Sequence, residues 1–330
     1  MAKIDQAEFK RIVSAIDDPQ APRPAGLLRR PPVSKTRRAA DQMFESVLTK
    51  AGLDVGKLGK MLAQDQSEVR GALQKQMAGT NFSAAAAAYR QGIAARAKAI
   101  GLLKEPYTST LVMLDTAFAI WELPHPEFNI FIGSDTGPMN NWIKVFVNEI
   151  AGNNATQFMF YFVWQNTSDT DVVINAASVL APGGYCEIAA APGFLSGDHS
   201  WLGIYANFRT IRWSGWGTDP MTGQNADQTP YPGFQQSQLQ AIAGLSAWGG
   251  SYFGSGRDVE THPPFVFQNF EVSQNQILVP ARAVAVFEVS FNLSYGFDTG
   301  GDTADWVYAD FSTNANAVFC PFVLLEQLSP

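Results

Sequence analysis

One of the three histidines in the sequence lies between two residue types that catalytic triads use. His199 stands between Asp198 and Ser200 in the stretch GDHSW. Neighbouring side chains on an extended chain point to opposite faces, so these three residues cannot form a Ser-His-Asp triad with one another. The sequence also contains no GxSxG, HExxH, P-loop or GxGxxG motif. The motifs therefore do not favour an enzyme, although they leave enzymatic activity open.

Carboxylates are the second group of side chains that could carry out catalysis. Residues 106 to 330 contain 20 Asp and Glu, and glycosidases need only two carboxyl groups about 5 to 10 Å apart. The sequence does not single out one pair among them. A glycoside-acting enzyme is therefore the third of three functional hypotheses.

A glycine-containing stretch, FDTGGDTADW, carries Asp298, Asp302 and Asp305. Carboxylate oxygens on a turn are ligands that suit Ca²⁺, although the spacing is not that of an EF-hand. An acidic turn that is simply solvated explains the same residues. A Ca²⁺ site stays an alternative to that plain turn, and no other cofactor is predicted.

Aromatic residues cluster in and after the stretch IRWSGWGTDP. The residues that could stack on a ligand are Trp213, Trp216, Asp219, Tyr231 and Trp248. Exposed aromatic faces beside hydrogen-bonding groups are surfaces on which sugar rings stack. Burial against the core or at a subunit contact explains the tryptophans more simply. A carbohydrate-binding, lectin-like module is the second functional hypothesis.

Positive charge is concentrated near the N-terminus. Residues 1 to 105 hold 18 Lys and Arg against 10 Asp and Glu, and residues 106 to 330 hold 5 against 20. The basic residues of LLRRPPVSKTRR are Arg29, Arg30, Lys35, Arg37 and Arg38. Such a cluster can bind nucleic-acid phosphates, dock on the acidic part of its own or a neighbouring subunit, or form a solvated linker. Docking is favoured because the complementary charge lies in the same chain.

Apolar residues in the first 105 positions recur mostly at helical spacing. Helices are predicted over residues 4–17, from about 36 to 52, over 69–77 and over 83–101, the last with Ser83 as its cap. Prolines between residues 19 and 34 predict an extended, proline-rich arm. Residues 1–105 are therefore predicted to be a basic helical N-terminal region.

Beyond residue 105 the apolar period changes to alternation. Residues 287–295 alternate apolar and polar side chains, as a half-buried strand does. Further strands are predicted at 142–150, 158–164, 172–179, 185–191, 201–208, 264–272 and 317–325, and the long connection after Ser214 is predicted to be functional or partly helical over 235–245. About eight to ten strands without alternating helices predict an antiparallel, jelly-roll-like β-sandwich. The fold class is α+β, with an acidic β-sandwich domain at 106–330.

Cys186 and Cys320 have no metal-ligand spacing, and the sequence does not decide whether they pair. The start of the chain lacks the apolar core of a signal peptide, and the longest apolar run, 158–164, is far shorter than the ~20 residues that span a bilayer. We expect synthesis in the cytoplasm and leave the final location open.

The main functional hypothesis is a non-enzymatic, self-assembling structural subunit of a shell, a virion-like particle or another homo-oligomer. Its basic arm would contact neighbouring subunits or a polyanion. This hypothesis rests on the arrangement of a basic arm ahead of an acidic β domain.

Overall fold

The computed structural model describes residues 79–102, 109–122, 131–150, 152–190, 198–213, 238–249, 258–298 and 305–328. Within these ranges the chain forms one helix, α1 (Phe82–Leu102), and fifteen strands. The strands are β1 (Ser109–Leu114), β2 (Ala119–Glu122), β3 (Phe131–Asp135), β4 (Trp142–Glu149), β5 (Asn153–Gln165), β6 (Val172–Ala190), β7 (His199–Trp213), β8 (Gln238–Trp248), β9 (Asp258–Thr261), β10 (Phe265–Val266), β11 (Phe270–Val279), β12 (Val284–Phe297), β13 (Trp306–Phe311), β14 (Ala317–Phe319) and β15 (Val323–Leu328).

Helix α1 lies where the last N-terminal helix is predicted, but a different residue caps it. The Oδ1 atom of Asn81 accepts a hydrogen bond from the backbone N–H of Ala84 at 3.0 Å, so Asn81 and not Ser83 is the N-cap. The ring of Tyr89 stacks on Phe267, with centroids 5.9 Å apart, and lies 5.7 Å from Phe319. These contacts attach α1 to the β structure. The other three predicted helices and the proline-rich arm lie outside the described residues.

The strands form two antiparallel sheets. In the five-stranded sheet the order is β2-β5-β12-β7-β8. The ten-stranded sheet follows the path β1-β15-β6-β13-β4-β14, with β3 paired to β4 and with β9, β10 and β11 paired to β6. One apolar core contains side chains from both sheets. The hydroxyl of Thr210 on β7 donates across the core to Oε1 of Gln274 on β11 at 2.6 Å. This arrangement is consistent with the predicted β-sandwich.

Strand β12 lies at the centre of the five-stranded sheet, and all its residues are buried. The predicted alternation is present, because one set of side chains, including Phe287 and Phe291, lies in the shared core. The prediction of a half-buried strand is wrong, however, since the alternate residues Glu288 and Ser290 are only 1% and 0% exposed. This second face carries the polar residues Glu288, Ser290, Asn292 and Ser294, and Val284 and Val286 on the same face pack in a separate apolar cluster.

Strand β6 joins two segments that the sequence predicts as separate strands. Its first half pairs with β11 and β15, and its second half pairs with β9, β10, β13 and β14. Gly184 lies in the second half with a φ of 156°, and a Cβ there would stand 2.2 Å from the carbonyl oxygen of Asp310. Glycine therefore allows the chain to continue as one strand where another backbone passes very close.

Three further predictions are corrected by the structure. The strand predicted over 264–272 is divided into β10 and β11 because Phe267 adopts a φ of 62°. The strand predicted over 317–325 is divided into β14 and β15 around Pro321, which has no N–H to donate to a strand ladder. The helical alternative over 235–245 is wrong, because β8 occupies residues 238–248 and alternately buries Ala243, Leu245 and Ala247.

Candidate functional site

Three strands of the five-stranded sheet end side by side, and we call this place the His199 end. Strand β7 begins there at His199, which is paired with Trp248 at the end of β8. Strand β12 ends beside them, and the backbone N–H of Asp298 donates to the carbonyl of His199 at 2.9 Å. The hydroxyl of Ser200 donates to the carbonyl of Ala189 in the other sheet at 2.7 Å. Because Ser200 points into the sandwich, its neighbour His199 points to the outer face.

The imidazole of His199 joins two other side chains from distant parts of the sequence. Its Nδ1 atom lies 3.1 Å from Oδ2 of Asp298, and its Nε2 atom lies 2.8 Å from Oγ of Ser246. An ionised carboxylate only accepts hydrogen bonds, so in the neutral imidazole Nδ1 carries the proton and Nε2 accepts the hydroxyl proton of Ser246. The side chain of His199 is 1% exposed and that of Asp298 is 25% exposed, whereas Ser246 is exposed.

Trp248 covers this group from one side. Its ring lies 3.8 Å from the imidazole of His199, centroid to centroid, and the two planes are 20° from parallel. Trp248 nevertheless remains 58% exposed. Its exposed indole is therefore held in place by a buried histidine.

Carboxylates of β9 bind the open edge of β8. The backbone N–H of Ser246 donates to Oε2 of Glu260, and the N–H of Trp248 donates to Oδ2 of Asp258 at 2.8 Å. Strand β9 itself pairs with β6 in the other sheet. Side chains from the second sheet thus fix the position of the end of β8.

A second polar cluster lies on the outer face, in the middle of the same sheet. Glu288 forms an ion pair with Arg209 on β7, accepts from the Tyr161 hydroxyl at 3.2 Å and accepts from Nε2 of Gln157 at 3.3 Å. The same Gln157 nitrogen donates to Oγ of Ser290 at 3.0 Å. The cluster links β5, β12 and β7, and these contacts stabilise the sheet.

The structure separates the aromatic residues that the sequence groups together. Trp248 is paired with the first residue of β7, and Trp213 is the last residue of that strand. A strand of this length spans about 45 Å. The backbones of the two tryptophans therefore lie at opposite ends of the paired strands. Trp216, Asp219 and Tyr231 lie outside the described residues, as do the five basic residues of the arm, Arg29, Arg30, Lys35, Arg37 and Arg38.

Two of the three aspartates considered as Ca²⁺ ligands are described. Asp298 bonds to His199, Asp305 is fully buried, and Asp302 lies outside the described ranges. Over the part of the chain that the structure describes, no three His, Cys, Asp or Glu side chains are grouped so that they could hold a metal ion. The Ca²⁺ site remains a prediction, since one of its three residues is not described.

The two cysteines do not form a disulfide bond with each other. Both Cys186 and Cys320 are free thiols and buried. The pKa of the Cys320 thiol is raised to about 12. Burial is the main cause, and the hydrogen bond with Ser178 acts in the opposite direction. The thiols therefore act as small core residues. Among the described residues, no helix is both long enough and apolar enough to cross a membrane.

The sequence does not indicate Ser246 as a partner of His199. The two residues are 47 positions apart, and Asp298 is 99 positions from His199. Only the pairing of β7 with β8 and with β12 brings them together. No protein-family model matches this chain, and a search of curated proteins found no match either.

Proposed function

We propose that this protein is a self-assembling structural subunit with a jelly-roll-like body at 106–330 and a basic helical N-terminal region that contacts neighbouring subunits. One observation carries the proposal. Six of the seven large apolar side chains that are exposed among the described residues lie on strands with a partner on one side only. These are Leu111, Ile132, Leu239, Trp248, Val266 and Leu278, and the seventh, Ile150, follows the end of β4.

Edge strands carrying apolar side chains favour contact with another chain. Their outer backbone groups can pair with an added strand, and monomeric proteins usually protect such edges with charges or prolines. The exposed apolar residues lie on β1, β3, β8, β10 and β11, so they are spread over both sheets. Several contacts per subunit are what a shell or another closed assembly needs.

The charge distribution supports a role for the N-terminal region in the same contacts. Helix α1 contains Arg90, Arg96 and Lys98 and no acidic residue. It is attached to the β structure by apolar contacts of Tyr89, and Arg90 lies over the ring of Phe319 at 5.1 Å. The basic side chains are exposed beside a β domain with a net negative charge. Opposite charges of this kind orient association between subunits.

The test is the mass of the full-length protein by size-exclusion chromatography with light scattering at low and high salt. We expect a discrete species much larger than the 35.9 kDa monomer. Changing Ile132 and Leu239 together to Lys should reduce the mass, because charges on edge strands oppose strand addition. The matched control changes Ile132 and Leu239 together to Val, which keeps both edge strands apolar and uncharged and should leave the mass unchanged.

A second set of variants tests the arm. Replacing Arg29, Arg30, Arg37 and Arg38 together by Ala should shift the assembly toward monomer and remove its dependence on salt. An absorbance ratio at 260 and 280 nm above that of protein alone would identify nucleic acid as the partner of the arm. A wild-type monomer at both salt concentrations contradicts the proposal.

A carbohydrate-binding module is the second candidate function, and the position of Trp248 favours it. The indole is 58% exposed, is backed by His199 and has the carboxylates of Asp258 and Asp298 nearby. Rigid aromatic faces beside hydrogen-bonding groups are surfaces on which sugars stack. On a glycan array, Trp248→Ala should abolish binding. Leu239→Ala, at another exposed position of β8, should not.

A further inference from the structure

We propose that Ser246 is a nucleophile activated by His199, and that it accepts acyl groups from activated esters. Its hydroxyl lies 2.8 Å from Nε2 of His199, and Nδ1 of the same ring lies 3.1 Å from Asp298. In hydrolytic triads the nucleophile lies within hydrogen-bond distance of a base, and a third group orients that base. Such triads occur in several chain orders, so geometry identifies them.

Exposure of the three side chains fits these roles. Ser246 is exposed on the edge strand β8, while the side chain of His199 is 1% exposed. An acyl donor can thus approach the hydroxyl from solvent, and the base behind it is shielded. Asp298 does not meet the donor and is a positioning residue for the imidazole.

The group is held in place before any substrate arrives. Trp248 stacks on one face of the imidazole at 3.8 Å. The backbone N–H of Asp298 donates to the carbonyl of His199 at 2.9 Å, and Glu260 binds the backbone N–H of Ser246. A base and a nucleophile fixed in this way lose little freedom when they react.

The surroundings of Ser246 indicate which substrates it can attack. Amide hydrolysis requires strong stabilisation of the oxyanion, usually by backbone N–H groups beside the nucleophile. The N–H groups of Ser246 and Trp248 on the open edge of β8 already donate to Glu260 and Asp258. These carboxylates also disfavour negative charge nearby. The expected substrates are therefore uncharged esters with good leaving groups, such as aryl esters, and not peptides.

The reaction is a two-step transfer with water as the final acceptor. Oγ of Ser246 attacks the acyl carbon, and its proton moves to Nε2 of His199. The bond from the acyl carbon to the leaving oxygen breaks, and the alcohol departs with that proton. Water then attacks the acyl-serine, gives a proton to His199 and releases the carboxylic acid as the proton returns to Ser246. Nothing is oxidised or reduced.

The test uses full-length protein and diisopropyl fluorophosphate, with the modified residue located by mass spectrometry of peptides. We expect one phosphoryl group on Ser246, and a burst of phenolate with p-nitrophenyl acetate. Ser246→Ala should abolish both. Ser134→Ala is the matched control, because Ser134 is also an exposed serine on an edge strand but is not placed at the His199 end.

Two further variants separate catalysis from structure. Asp298→Asn should lower the maximal labelling rate by roughly tenfold or more without changing the reagent concentration that gives half of that rate. His199→Gln should abolish labelling while a cooperative thermal melting transition shows that the protein is still folded. If His199→Gln does not fold, the Asp298 variant decides alone.

Labelling of folded wild-type protein at other serines only, or no labelling at all, overturns the proposal. Labelling at Ser246 that persists at the wild-type rate in Asp298→Asn overturns it as well. Labelling is also measured on the Ile132→Lys/Leu239→Lys variant, so that coverage of β8 by a neighbouring subunit cannot by itself suppress it.

Discussion

Trp248 stacks on His199, with the two rings 3.8 Å apart between centroids, at the place where β7 begins and β8 ends. The two residues differ sharply in exposure, since the indole is 58% exposed and the imidazole side chain 1% exposed. The contact closes one side of the Ser246–His199–Asp298 group and at the same time presents an aromatic face to solvent. Both the esterase and the carbohydrate proposal therefore involve Trp248.

This stacking contact should contribute modestly to stability. Aromatic pairs are worth about 0.5–1.5 kcal/mol beyond the area they bury, and the exposed part of the indole adds little. We expect Trp248→Ala to lower the free energy of unfolding by about 1 kcal/mol in urea titrations. Trp306→Ala should cost roughly 3–5 kcal/mol, because Trp306 is fully buried. Equal losses from the two variants would contradict the stacking geometry.

The ion pair between Arg209 and Glu288 gives a second prediction. The side chains are 17% and 1% exposed, respectively, so removal of the arginine leaves a charge buried at Glu288. We expect Arg209→Met to destabilise the protein by about 3 kcal/mol. The double variant Arg209→Met/Glu288→Gln should recover much of this loss, because no uncompensated charge remains. A double-mutant cycle measured by urea unfolding checks this, and additive losses would contradict it.

Gly184 and Gly244 differ in the space available for a Cβ, so alanine at the two positions should affect stability differently. A Cβ at Gly184 would stand 2.2 Å from the carbonyl oxygen of Asp310, whereas a Cβ at Gly244 meets no atom within 4 Å. Gly184→Ala should therefore lower the free energy of unfolding by about 3 kcal/mol, since a strand and its partner must move apart. Gly244→Ala should leave it unchanged or raise it slightly. Thermal melting of both variants under the same conditions distinguishes the two positions.

The buried thiols predict how stability depends on alkaline pH. Burial raises the pKa of Cys320 to about 12 and also raises the pKa of Cys186, whereas a thiol in an unfolded chain titrates near about 8.5. The neutral thiols thus stabilise the fold fully below about pH 8.5, and this contribution is lost as the pH rises toward the folded values. Under reducing conditions, we expect the urea midpoint to fall between about pH 8.5 and 10.

The double variant Cys186→Ala/Cys320→Ala is the control for this dependence. It should be less stable at pH 7 because it creates cavities, yet its urea midpoint should change less between about pH 8.5 and 10. Identical slopes in the variant and the wild type would show that the thiols do not cause the effect.

The sequence by itself determined the β character of residues beyond 105 and the alternation of the main strands. Apolar side chains at every second position, as in 287–295, must face one side of a strand, whatever strand lies beside it. The same local logic placed helix α1, because helical spacing and a capping residue act within a few positions. It could not indicate the partners of Glu288 on the second face of β12, since Arg209, Gln157 and Tyr161 come from other strands.

Which side chains meet at the His199 end is determined only by the tertiary structure. The adjacency of Asp198, His199 and Ser200 shows by itself that they cannot act together, because adjacent residues on a strand face opposite sides. The sequence does not indicate Ser246 and Asp298 as partners of His199, because they lie 47 and 99 positions away from it. Strand order and register bring these side chains together, and they depend on the whole set of pairings between strands and not on any short segment.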